Sequence, residues 1–244
     1  MILCLDSDDF LESETLDKLN QYFFEYNCDC IYFNRKRFFK DDFYIEKKTN
    51  KIELIKDTRI LFKKIFEDSY YNPMWIKAFK KKCIPSKNDK VFEEIRHGED
   101  LVQTVEIMDK SDRVLFIPDV FYNYRMNMDS ISHNLSSAFY VPGNPVRLFV
   151  YKFLKEKGIY SQKDWTEYGK FCALLFLRNL IKISNLDSSK KEKIHIFEQE
   201  NKSEYYSDFV INYKTGIFVK DIFLNLFRWK MFSLLLNLLL IKKL

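Results

Sequence analysis

Met1-Ile2-Leu3-Cys4-Leu5-Asp6-Ser7-Asp8-Asp9 opens the chain with an apolar run that ends in carboxylates. The run reads as a short buried strand, of the kind that lies inside a sheet. Carboxylates crowded at its end repel one another and resist ionisation unless something cationic meets them. A divalent ion such as Mg²⁺ or Mn²⁺ answers that need, since it takes oxygen ligands and keeps positions open for a phosphate. Helix capping is the other reading. Ser13-Glu14-Thr15-Leu16 looks like a helix start with carboxylates near its positive end. It accounts for Glu12 and Glu14 better than for Asp6, Asp8 and Asp9. A calcium EF-hand is excluded: counting from Asp6, the sixth position is Leu11 instead of Gly and the twelfth is Asp17.

Composition narrows the class. A chain of 244 residues holds one domain, or a domain with a helical extension. With 47% hydrophobic and 31% charged residues it is globular. Only 5 Gly and 5 Pro argue against a loop-dominated all-β protein. The net charge of +5 comes from 40 basic against 35 acidic residues, scattered apart from Lys80-Lys81-Lys82 and a C-terminal group. That balance supports mild attraction to anions and argues against a nucleic-acid partner. Five cysteines are odd in number, and Cys28-Asp29-Cys30 lacks the two-residue gap of a zinc pair, so reduced cytosolic thiols are expected. The N-terminus shows no basic start or small-residue cleavage site, so no signal peptide is expected.

Periodicity places a helix over residues 13–27 (Leu16, Leu19, Phe23, Tyr26) and a buried strand at Cys30–Phe33. The stretch 35–55 reads as a hairpin or loop excursion. Ile60, Leu61, Lys64 and Ile65 mark a helix, and Asn72-Pro73 is expected to start another that contains Trp75 and Phe79. His97-Gly98-Glu99-Asp100 leads into a helix carrying Leu101, Val105 and Met108. Val114–Ile117 reads as a strand stopped by Pro118, with Val120–Tyr124 as a second. From Ser136 onward the pattern changes to long helices. Residues 222–241 are apolar but interrupted by Arg228 and Lys230, and the clean run Met231–Ile241 is too short to span a bilayer of about 30 Å. This segment reads either as an amphipathic helix at a membrane surface or as a last helix packed on the core.

Four separated segments resemble family 2 glycosyltransferases, which have the GT-A fold. Leu5-Asp6-Ser7-Asp8-Asp9-Phe10-Leu11 looks like their metal-binding DxD segment. Trp75-Ile76-Lys77-Ala78-Phe79-Lys80-Lys81 resembles their W-N-K-L-Y/F-K-K stretch, with Ile76 in place of the usual Asn. His97-Gly98-Glu99-Asp100-Leu101 resembles the G-E-D that opens a helix on the acceptor side. Val120-Phe121-Tyr122-Asn123-Tyr124-Arg125, followed by Ser130-Ile131-Ser132-His133, resembles L-Y-x-Y-R…S-I-S. Order and spacing agree over residues 1–134.

The resemblance implies an α/β fold: a partial GT-A-like mixed sheet with flanking helices over 1–135, and an α-helical extension over 136–244. It implies an inverting, metal-dependent enzyme that moves a sugar from a nucleotide-diphosphate donor, a UDP-sugar, to a lipid-linked or surface glycan at the cytoplasmic membrane face. Asp6 and Asp8 would hold Mn²⁺ or Mg²⁺ against the diphosphate. Asp9 would support them or meet the donor ribose, and Arg125 and His133 would reach the diphosphate or the metal. Asp100 would be the base for the acceptor hydroxyl, with Glu99 beside it. Trp75, with Lys77, would meet the acceptor sugar, although a Trp at this spacing also fits a core. Family members carry a nucleotide-binding half before the DxD strand, with P-x-Y-N and D-D-G-S segments. Its absence here leads to the expectation of a fragment or of a separate N-terminal partner chain, and to a rival reading as a non-catalytic, partner-binding half.

Overall fold

The computed structural model describes residues 1–39, 42–85, 98–126 and 143–241. The chain folds as two compact units, Met1–His133 and Asn134–Leu244.

The first unit is a mixed seven-stranded sheet with helices packed on it, the α/β class that the resemblance implies. Its strands are β1 (Ile2–Leu3), β2 (Phe10–Leu11), β3 (Cys30–Phe39), β4 (Asp42–Glu46), β5 (Glu53–Ile55), β6 (Lys77–Phe79) and β7 (Val114–Arg125). The order is β1-β6-β3-β7-β2, with β4 on β3 and β5 on β7. Among the described residues only β3 and β7 run parallel, and every other pair is antiparallel. The apolar start of β3 and the run Val114–Ile117 are fully buried, as expected where both faces are covered. Among the described residues the helices are α1 (Thr15–Tyr26), α2 (Thr58–Phe66) and α3 (Glu99–Asp109). Leu61, Phe62, Ile65 and Phe66 of α2 and Leu101, Val102, Val105 and Met108 of α3 are buried, which follows from their i, i+3, i+4 spacing.

Four expectations change. Among the described residues β1 is an edge strand of two residues, antiparallel to β6, and Leu5 beyond it is 51% exposed, so it is neither deeply buried nor interior. Asn72-Pro73 starts only a 3₁₀ turn, Met74–Ile76, and the chain then enters β6, because pairing to β1 and β3 on its two sides outweighs local helical spacing. Pro118 does not stop a strand. β7 runs through it because the ladder carries a bulge there, where a missing N–H costs least. Asn34 supports that bulge: its Nδ2 donates to the Pro118 and Thr49 carbonyls at 2.9 and 2.8 Å, and its Oδ1 accepts from the Lys48 and Thr49 amides at 2.9 and 3.2 Å. Finally, 222–241 is two helices, α7 (Phe218–Arg228) and α8 (Phe232–Ile241), broken where Lys230 turns left-handed at φ 58°.

The second unit also contains α4 (Pro145–Lys157), α5 (Gln162–Ser184) and α6 (Lys190–Lys202). Capping boxes start α5 (Ser161 with Asp164) and α6 (Ser189 with Glu192). Among the described residues no helix is long and apolar enough to cross a membrane. Gly169 of α5 lies against Tyr213: a Cβ there would sit 2.1 Å from its ring. Gly169→Ala is therefore expected to cost about 1–3 kcal/mol through overpacking, read as a lower urea midpoint; an unchanged midpoint would refute the close approach.

Candidate functional site

The acidic segment is a tight turn pinned from β7. The Asp9 amide donates to the Asp6 carbonyl at 3.1 Å, closing Asp6–Asp9 into a turn. Tyr122, fully buried in β7, accepts from the Asp6 amide through its hydroxyl (3.1 Å) and donates that hydroxyl to Asp9 Oδ2 (2.8 Å). The Arg125 amide donates to Asp9 Oδ1 at 2.8 Å. Both Asp9 oxygens are thus engaged by the fold, which suits a supporting role. Burial, then the bond to Asp9 and the charges of Asp9 and Asp6, hold Tyr122 well above the ordinary phenol range against the lowering effect of the Asp6 amide, so it stays a donor.

The fold brings together carboxylates that are distant in sequence. Burial raises the Asp6 carboxyl, and the neighbouring charges of Asp9, Asp100 and Asp8 raise it further. Asp6 has no side-chain hydrogen-bond partner among the described residues. Burial also raises Asp9, against the lowering effect of the Arg125 amide and the Tyr122 hydroxyl. Asp100, in the first turn of α3, is raised by burial, while Lys77 and the Met74 amide pull it down. Glu99 beside it is exposed.

Lys77 lies under this cluster and not on its surface. Its side chain is fully buried, and Nζ donates to the Asn72 and Pro73 carbonyls at 3.2 and 2.5 Å. Burial pushes it down to about 8, against the opposing pull of Cys30, Asp100 and Cys4. Cys4 is within electrostatic range of Lys77, Asp100 and Asp6, a neighbour that no sequence pattern singled out.

Excess negative charge, an unpartnered Asp6 and hard oxygen donors fit a divalent cation. Among the described residues no group of three or more His, Cys, Asp or Glu side chains is arranged to hold a metal. A cation here would rest on Asp6 and Asp8, with phosphate and water as further ligands, a pattern Mg²⁺ accepts readily. His133 lies outside the described residues.

Beside the turn, Trp75 is stacked between Tyr122 (4.5 Å, 18°) and Tyr124 (5.4 Å, 10°). It is 8% exposed and lines a cavity of about 430 Å³. β3 supplies the adjoining wall, because Arg35 and Arg37 pair in register with Tyr122 and Tyr124 and so share their face. Arg35 lies over the Tyr70 and Trp75 rings at 4.6 and 5.0 Å. Arg35 and Arg37 both donate Nε to Glu46 Oε2, at 2.7 and 2.6 Å. Burial would raise Glu46, but these two bonds outweigh it and hold the carboxyl below its usual range. Arg125 is exposed at the end of β7, its guanidinium 5.0 Å from the Phe10 ring centroid. Sequence reasoning assigned no role to Tyr122, Tyr124, Arg35 or Arg37. The signal available was the alternation along β3 and β7.

No protein-family model matches the chain, and no curated protein matches it. It is similar to solved structures of Staphylococcus aureus TarS, residues 1–349. With UDP-GlcNAc bound, that structure is 14% identical, with a TM-score of 0.40, over 86% of this chain and 49% of that one. With UDP bound it is 16% identical, with a TM-score of 0.39, over 86% and 48%. The chain thus spans about half the length of the solved structures it matches.

Two outcomes are expected. Tyr122→Phe removes both loop bonds and should cost about 1–3 kcal/mol in denaturant unfolding; a loss within error would show that the hydroxyl does not hold the turn. Lys77 has a folded pKa of about 8 against 10.5 as a free side chain. The unfolded chain therefore binds more protons between those values, and stability from this group rises with pH across that window. Buried cysteines oppose this, so the measurement is a difference: wild type should gain about 2 kcal/mol on Lys77→Met between pH 8 and 10. A flat difference would refute the buried charge.

Proposed function

We propose that the sheet unit is the metal- and acceptor-binding part of an inverting glycosyltransferase that uses a nucleotide-diphosphate sugar, a UDP-sugar, and acts on a lipid-linked or surface glycan. The observation that carries this reading is the gathering of Asp6, Asp8, Asp9 and Asp100 around one turn fixed by Tyr122. Mn²⁺ or Mg²⁺ bound there would act as a Lewis acid for a departing diphosphate.

Asp6 and Asp8 bind the cation, and Asp9 holds the turn that presents them. Asp100 takes the proton of the acceptor hydroxyl. Its burial raises its basicity, and Lys77 with the Met74 amide keeps it ionised. The Trp75–Tyr124 wall receives the face of an acceptor sugar, and Arg35, Arg37 and Lys48 line the rest of that cleft. Arg125 stands at the rim for the diphosphate. Phe218 (80% exposed), Trp229 (68%) and Ile241 (78%), with Lys220 and Lys230, give the helical unit a surface suited to an anionic bilayer at the cytoplasmic membrane face.

A second reading, a partner-binding half without activity of its own, is favoured by the edge position of β1, whose one partner strand among the described residues is β6. Calorimetric titration with UDP, with and without Mn²⁺, separates the two. Mn²⁺-dependent binding that chelator reverses and Asp8→Ala abolishes is expected for the enzyme; no binding in either condition supports the half-enzyme. Asp100→Asn should keep that binding yet lower transfer by about 10²–10⁴-fold. The wild-type rate should fall as pH drops through the raised Asp100 pKa, above the ordinary aspartate range. Unchanged transfer in Asp100→Asn would remove the base assignment.

A further inference from the structure

The helical unit has a concave surface of its own. A cavity of about 270 Å³ is floored by Tyr151, Trp165 and Tyr213 and rimmed by Gln162, Asp208 and Asn212. Phe209, nearly buried, lines the same floor and holds it together. That ring stacks on Tyr151 (4.4 Å, 21°) and meets Trp165 and Tyr213 edge-on at 6.2 and 5.0 Å. Phe209 and Asp208 belong to a π-helical turn, Tyr205–Phe209, a geometry that recurs at functional sites. Gly169 lets Tyr213 approach closely enough to complete the wall. A floor already ordered by packing loses little entropy when a ligand lands on it.

The rim supplies planar polar groups with capacity to spare. Asp208 Oδ1 accepts from Ser207, and Asn212 Nδ2 donates to the Asp208 carbonyl at 3.2 Å. Asp208 Oδ2, Asn212 Oδ1 and the Gln162 amide have no hydrogen-bond partner among the described residues. Lys155 lies 5.7 Å from the Tyr151 ring centroid and offsets Asp208, so the groove is close to neutral.

We propose that this groove binds a neutral oligosaccharide, with a sugar ring's C–H face on the aromatic floor and its hydroxyls on Gln162, Asp208 and Asn212. A pyranose has one flat apolar face edged by groups that each donate and accept, and amide and carboxylate side chains match both roles. A proline-rich peptide also stacks on aromatic rings. Its proline nitrogens carry no hydrogen, so Asp208 and the Asn212 oxygen would be desolvated without donors.

The test titrates the full chain with maltopentaose, cellopentaose and chitopentaose, read by saturation-transfer NMR and tryptophan fluorescence. At least one should bind, and Asp208→Ala and Asn212→Ala, both at exposed positions, should each weaken it fivefold or more with the circular dichroism unchanged. Trp165→Phe should also weaken it. The proposal is overturned if none of the three binds, if both rim variants bind as wild type, or if a proline-rich decapeptide binds in their place. None of these variants alters Asp8 or Asp100, so failure of nucleotide binding in the sheet unit leaves this test standing.

Discussion

The parallel pairing of β3 with β7 is the constraint on which the sheet unit depends. Besides each other, β3 pairs with β6 at Cys30–Tyr32 and with β4 at Arg35–Phe39, while β7 pairs with β5 at Val114–Phe116 and with β2 at Tyr122–Asn123. Their register sets Arg35 against Tyr122 and Arg37 against Tyr124. A shift of one residue would send all four side chains to the opposite face. It would empty the cleft and take the Tyr122 hydroxyl away from the acidic turn. Asn34, with all its donors and acceptors engaged at the bulge, fixes that register where Pro118 cannot contribute an amide.

The site illustrates how a fold manages unwelcome charge. Four aspartates share one neighbourhood, and burial raises three of them. The protein answers Asp9 with two hydrogen bonds and Asp100 with a buried ammonium and an amide. Asp6 receives no such side-chain partner among the described residues. A structure that satisfied every carboxylate internally would have nothing left to offer a cation.

Much of this was legible in the chain. The apolar runs at Cys30–Phe33 and Val114–Ile117 became buried strands, and the helical spacings after Thr58 and Asp100 became α2 and α3. Local pattern failed where tertiary pairing decided. Lys77-Ala78-Phe79 is too short to distinguish helix from strand by periodicity, and its two neighbouring strands made the choice. Residues 222–241 read as one helix because a single left-handed residue, Lys230, leaves no mark in hydropathy. The meeting of Asp6 with Asp100 could not be read at all, since it follows from strand order. Tyr122 sat inside a quoted motif, yet a tyrosine in a buried strand gives no sign that its hydroxyl reaches a turn 113 to 116 residues away.

Asp9 has a consequence for how this region opens. One of its oxygens holds a side chain within β7 and the other holds the main chain at that strand's end. The turn and the last residues of β7 cannot fray separately without leaving a half-buried carboxylate short of a donor. They therefore form one cooperative unit of local unfolding, in which the Arg125 amide exchanges its hydrogen with solvent only when the turn at the far end of the sequence lets go.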